Sequence, residues 1–187
     1  MKVARVTLPL ALSLLAFGCG SGSEGSSTAG AAQVAPQGAP YSYAVPSGFK
    51  RVPAKFPGDV KYLTTVVPTD AAAHTGTLSA FQWTLDATRR AYPTEKLLGW
   101  LDRETLSFYR GAGATLATGE RTEVAGRPAI CWRIHRFRNQ FDGVVEADGC
   151  AVVGSENVVQ LGCTWKPQTR EVISRGCREL QASLEVT

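Results

Sequence analysis

The sequence is poor in the residues that carry most enzyme chemistry. It has two histidines, His74 and His135, and one methionine. It has no Cys-x-x-Cys pair, the spacing that zinc ribbons and thioredoxin-type redox sites require. It has no Gly-x-Ser-x-Gly, the turn that presents a hydrolase nucleophile. The glycine-rich run from Gly111 to Gly119 follows a helical pattern and enters a strand pattern. A phosphate cradle needs the reverse order, with helix amides aimed at the anion. There is no internal repeat.

Charge is modest too. Lys and Arg number 20 against 16 Asp and Glu, a formal +4. If Lys2 and Arg5 leave with a leader, the balance falls to 18 against 16. Nucleic-acid binding demands a concentrated basic face, so no nucleic-acid partner is expected. A hydrophobic share of 44% and a charged share of 19% describe a globular domain, not a disordered chain.

What is present begins with an address. Met1–Val6 carries two positive charges, and Thr7–Phe17 is apolar apart from Thr7 and Ser13. That run is too short to span a bilayer and reads as the core of a secretory signal. Its end, Leu15-Ala16-Phe17-Gly18-Cys19, resembles the bacterial lipoprotein signal, although Ala16 and Phe17 depart from the usual residues. The resemblance implies removal of residues 1–18 and acylation of Cys19, which would hold the mature chain at a membrane. Residues 19–40 are rich in Gly, Ser and Ala without apolar periodicity, and read as a flexible tether.

Residues 41–187 remain as one domain, large enough for a real core. Tyr41–Val45 alternates as a strand does and runs into the turn Pro46-Ser47-Gly48. Val60–Val67 and Leu78–Leu85 read as strands. Thr94–Tyr109 reads as a helix, with Leu97, Leu98, Leu101, Thr105 and Phe108 on one stripe. Strands follow over about Ala114–Val124, Pro128–Arg138, Gly143–Val153 and Val158–Trp165. A last helix, capped by Thr169, runs to about Leu184 with Ile173, Cys177, Leu180 and Leu184 on its apolar face. This order argues an α+β fold, a mainly antiparallel sheet packed against two main helices.

Four cysteines lie in the domain, Cys131, Cys150, Cys163 and Cys177, at spacings of 19, 13 and 14. An even count in an exported chain predicts two disulfides. Pairing Pro128–Arg138 with Gly143–Val153 so that Cys131 faces Cys150 also sets Arg133 opposite Asp148 and His135 opposite Glu146. A one-residue slip destroys all three matches. This register leaves a four-residue connection, Asn139–Asp142, and sets Trp132 over Gly149 on a core face. The next hairpin turns at Gly154 to Asn157: a two-residue Gly154-Ser155 turn would send Leu161 and Cys163 to the charged face, and a three-residue loop, the preferred reading, sets them with Trp132 and Ala147. Cys163 would join Cys177 and pin the last helix to the sheet.

The charged face of that hairpin, Arg133, His135, Glu146 and Asp148, is the candidate ligand face, with Arg136 and Arg138 near the tip. Because Arg133, Arg136 and Arg138 alternate, no single face is expected to hold all three. His135 beside Glu146 is the one candidate base, and His74, in Asp70-Ala-Ala-Ala-His-Thr-Gly, reads as a loop residue without a catalytic role. Glu146 and Asp148 oppose cations, which favours ionised groups over a raised-pKa acid.

The segments Tyr43-Ala-Val-Pro-Ser-Gly-Phe49 and Glu123-Val-Ala-Gly-Arg-Pro-Ala129, the central helix, the strand meander and the closing helix with Ser183-Leu184 together resemble the PsbP/Mog1-like superfamily. The likeness is greatest to its bacterial lipoprotein members. It implies a central antiparallel sheet packed with helices and a non-enzymatic role in binding or assembly. It supplies no catalytic residue, and the four cysteines are not part of the general pattern. The reading is therefore a lipid-anchored extracytoplasmic envelope protein without a cofactor or metal, which binds an envelope protein or a small ligand. An envelope hydrolase using His135 with Glu146 or Asp148 is the alternative, and a structural surface protein without a small ligand is a third.

Overall fold

The structure is a computed structural model that describes residues 33–53, 60–70, 76–139 and 143–187. The leader, Cys19 and His74 lie outside the described residues. Seven strands form one sheet: β3 (Phe49–Val52), β4 (Val60–Pro68), β5 (Thr77–Trp83), β6 (Leu116–Val124), β7 (Arg127–Asn139), β8 (Gly143–Val153) and β9 (Val158–Trp165). Their spatial order is β3-β4-β5-β9-β8-β7-β6, and each neighbouring pair is antiparallel. A smaller sheet joins β1 (Gln33–Val34), β2 (Tyr41–Ala44) and β10 (Glu185–Val186). The helices are α1 (Ala87–Arg90), α2 (Thr94–Gly111) and α3 (Arg170–Ala182). The expected α+β class is what the chain adopts.

Both faces of the large sheet are covered. On one, α2 buries Leu97, Leu98, Leu101 and Tyr109 against Ile130, Trp132, Ile134 and Ala151. Tyr109, not Phe108, completes the buried stripe: it lies four residues after Thr105 and packs on Phe137, while Phe108 is half-buried at the edge of the cluster. On the other face, α3 and β2 bury Ile173, Leu180, Tyr41 and Tyr43 against Leu78, Val159, Leu161 and Trp165. Burial of this kind contributes about 1.5–3 kcal/mol for each large apolar side chain, before chain entropy is set against it.

The folded body starts earlier than the composition suggests. Gln33 and Val34 pair with Ala44 and Tyr43, and Val34 is buried. The end of the expected tether is thus an edge strand, too short to leave an alternating pattern. At the other end α3 stops at Ala182, and Glu185–Val186 pairs with β2. Thr169 occupies the N-cap position, but its hydroxyl donates to the Lys166 carbonyl (3.2 Å) and caps no helix amide.

Two registers differ from expectation. The β8–β9 turn spans four residues, Gly154–Asn157, between the paired Val153 and Val158. The even count sends Leu161 and Cys163 to the face of Cys150 and Asp148, not to that of Trp132. Both faces are buried here, so apolar character alone does not choose between them. The β7–β8 ladder keeps the expected register from Ala129 to Ile134, including Cys131 opposite Cys150. Then His135 and Arg136 together oppose Glu146, and the pairing resumes with Phe137 opposite Val145. Arg136 takes a positive φ of 50° at this bulge. The extra residue extends the ladder to Asn139 opposite Gly143, one position further than expected.

The Trp132 expectation also changes partner. A Cβ on Gly119 would lie 3.1 Å from the indole and would collide with Asp102, whereas Gly149 is closed off by the Leu161 carbonyl at 2.9 Å. Trp132 therefore uses the space above Gly119, and its Nε1 donates to Asp102 on α2 (3.0 Å).

Candidate functional site

α3 lies over β5 and β9 and leaves part of the same face open above β6, β7 and β8. The gap is a groove of about 830 Å³. The sheet wall carries Glu120 from β6, Arg133 from β7 and Asp148 from β8, with Trp165 of β9 below them. The helix wall carries Arg170, Ser174, Arg178 and Gln181, at intervals of 4, 4 and 3 that keep them on one helix face.

Two disulfides border this groove. Cys131 and Cys150 are joined across β7 and β8, their Cα atoms 4.0 Å apart. They occupy a non-hydrogen-bonded pair, where opposed Cα atoms approach most closely. Cys163 and Cys177 are joined between β9 and α3, with Cα atoms 6.0 Å apart. Both pairings are those the register argument predicts, although Cys163 reaches Cys177 from the opposite sheet face to the one expected. Gln181 of α3 reaches the first of these bridges: its Nε2 donates to Cys150 Sγ (2.7 Å) and stands 3.7 Å from Cys131 Sγ.

The predicted ligand face is partly assembled. Arg133 Nε meets Asp148 Oδ1 at 3.3 Å inside the groove. Arg133 is largely exposed, and such a pair contributes about 0–1 kcal/mol. His135 Nδ1 lies 3.5 Å from Glu146 Oε1, while Glu146 Oε2 accepts from Trp165 Nε1 at 3.1 Å. Among the described residues no hydroxyl or thiol hydrogen-bonds to the His135 ring. The bulge corrects the expectation for the arginines. By realigning the strand it turns Phe137 into the α2 core and sets Arg138 opposite Val144, on the side of Arg133 and His135. Arg136 sits exposed in the bulge itself.

Sequence reasoning missed the helix wall. Arg170, Glu171 and Arg178 have no ion-pair partner among the described residues, and neither does Glu120 across the groove. The signal was present: a helix with one apolar stripe has a second, polar stripe, and Arg170, Ser174, Arg178 and Gln181 form it. Among the described residues no cluster of His, Cys, Asp and Glu is arranged to hold a metal, and no helix is long and apolar enough to cross a membrane.

No family model matches the chain, and no curated protein sequence matches it. Among solved structures, cyanobacterial PsbP (CyanoP) from Synechocystis superposes with a TM-score of 0.56 at 11% identity, over 88% of this chain and 98% of that one. The chain has a PsbP-like fold. A Bacteroides thetaiotaomicron structure aligns with a TM-score of 0.50 at 11% identity, over 79% of this chain and 45% of that one. LpqN of Mycobacterium tuberculosis, described as involved in cell envelope biogenesis, aligns with a TM-score of 0.49 at 12% identity, over 79% of this chain and 83% of that one. In this PsbP-like chain the groove lies on the α3 side of the sheet, and both disulfides border it.

Proposed function

We propose that the chain is a lipid-anchored, extracytoplasmic, non-enzymatic protein of the bacterial cell envelope that binds a partner protein or small ligand in the α3 groove. The groove carries this reading. It is open, and it is walled by charged and amide side chains on two rigid elements, with an indole below them. Such a surface suits recognition. His135 and Glu146 face one another on the same side of the sheet, and among the described residues no hydroxyl or thiol hydrogen-bonds to the His135 ring. The paired cysteines suit an oxidising compartment. The signal-like leader and Cys19 suit export and acylation.

The anchor and the groove are tested separately. Mass spectrometry of the protein from its native membrane should find a diacylated or triacylated Cys19 as the first residue, and Cys19→Ala should shift the protein to the soluble fraction. An unprocessed leader would defeat the anchor. A photo-crosslinking residue at Ser174 should give one discrete adduct that disappears with Arg178→Glu, while the same probe at Glu156 gives none. Identical products at both positions would defeat the groove. Turnover of an envelope substrate that is lost in His135→Ala, with the fold intact, would establish the hydrolase instead.

A further inference from the structure

The two ends of the large sheet are finished differently. At one edge β3 has four residues, is followed by Pro53 and lies opposite Pro68 at its start. Short, proline-flanked edges resist pairing with other chains. At the other edge β6 has nine residues and no proline, and Glu120, Arg121, Thr122 and Glu123 are all exposed. Among the described strands nothing pairs with its outer side.

The backbone on that side is set by the β6–β7 hairpin. Ala125 and Gly126, both at positive φ, form a two-residue turn that makes Val124 and Arg127 a hydrogen-bonded pair. Alternation then points the backbone N–H and C=O of Ala117, Gly119, Arg121 and Glu123 outward. Arg121 and Glu123 stand on the α2 face of the sheet, with opposite charges two residues apart.

We propose that β6 is a self-association edge, at which a second copy of this chain adds antiparallel about a two-fold axis through Thr122. Such an axis, normal to the sheet, keeps matching faces together. Centred on Thr122 it sets Arg121 opposite Glu123 of the second copy, and Glu123 opposite Arg121 of the second copy. Both are outward-bonding positions, so each pair exchanges two backbone hydrogen bonds. Centring on Glu120, Arg121 or Glu123 sets like charges face to face. Arg121 already meets Glu95 of α2 while remaining half exposed, so its guanidinium can serve both carboxylates. A two-fold contact of this self-complementary kind is the commonest way in which identical chains associate. Glu120 forms the outer lip of the groove, so the pairing brings two grooves side by side on one face of a continuous sheet.

The test uses the full-length chain in detergent, by analytical ultracentrifugation. A monomer–dimer equilibrium is expected in the micromolar range. Arg121→Glu and Glu123→Arg should each weaken it roughly tenfold or more, because two favourable cross-strand pairs become like-charge pairs. The double charge swap should restore it. Thr122→Cys should give a disulfide-linked dimer on a non-reducing gel, and Thr118→Cys should not. A chain that stays monomeric at high concentration, a double swap that fails to recover, or crosslinking through position 118 instead of 122 would each overturn the proposal.

Discussion

The ring of Phe49, on β3, packs directly against Gly176 of α3. A Cβ on that glycine would come within 2.5 Å of two ring carbons. Gly176 is a buried position in the middle of a helix, where glycine costs about 1 kcal/mol of helix propensity against alanine. The close approach explains the choice. Gly176→Ala is therefore expected to destabilise the chain by about 1–3 kcal/mol, as overpacking does, in spite of the propensity gain. Combining it with Phe49→Leu should recover part of the loss in a urea unfolding series. Stabilisation by Gly176→Ala alone would show that the ring moves aside freely.

The Cys163–Cys177 bridge closes a loop with a sequence separation of 14 and fastens α3 to β9. A loop near this length contributes about 3 kcal/mol in the chain-entropy model. Replacing both cysteines with alanine should lower the unfolding free energy by about that amount. Because α3 forms one wall of the groove, amide exchange in Arg170–Ala182 should accelerate well before exchange in β7 and β8. Uniform acceleration over the whole chain would contradict this assignment of the bridge.

Three of the five tyrosines, Tyr41, Tyr43 and Tyr109, are buried, and the Tyr41 hydroxyl donates to the Ala80 carbonyl (2.9 Å). Burial pushes Tyr109 from the usual 10.0 up to about 12 and also raises Tyr41 and Tyr43. Below pH 10 both folded and unfolded states keep these protons. Between pH 10 and about 12 the unfolded chain ionises first, so stability falls as pH rises. The melting temperature should be insensitive to these groups up to about pH 9 and should decline steeply above 10. Tyr109→Phe should flatten part of that decline. Phenolate absorbance from all five tyrosines near pH 10, with far-UV circular dichroism unchanged, would refute it.

The periodic elements were legible in the sequence, and so was the hairpin that carries the cysteines. Cys131 facing Cys150 and Arg133 facing Asp148 came from one register because three independent matches coincided. The pairing of Cys163 with Cys177 was also legible, yet the face was not. An apolar strand buried on both sides carries no parity signal, so the length of the Gly154–Asn157 turn could not be deduced from β9. The groove was half visible. Its sheet wall stood out as charges on a strand, while the polar residues of α3 looked like the solvent side of an ordinary amphipathic helix. Only packing shows that the body of this helix lies over β5 and β9 and leaves part of β6, β7 and β8 uncovered.

The bulge at His135 and Arg136 left no mark on the composition, and it decides what the hairpin tip presents. Without it Phe137 would share a face with Cys131 and Arg133, and Arg138 would share one with Trp132. With it Phe137 is buried beside Tyr109, their ring centroids 4.8 Å apart, and Arg138 joins the groove side. Deleting Arg136 should remove the bulge and still leave Phe137 opposite Val145 in the α2 core, because His135 then faces Glu146 alone and simple alternation carries the next residue to the side of Ile134. The deletion is therefore expected to cost little, about 1 kcal/mol or less, well below the roughly 3–5 kcal/mol of losing a buried phenylalanine outright. Arg136→Gly keeps the extra residue and suits the positive φ, so it should be nearly neutral. Urea unfolding of the two variants side by side separates the roles. A deletion that costs as much as a lost phenylalanine, with the glycine tolerated, would contradict this account of how the extra residue and Phe137 are aligned.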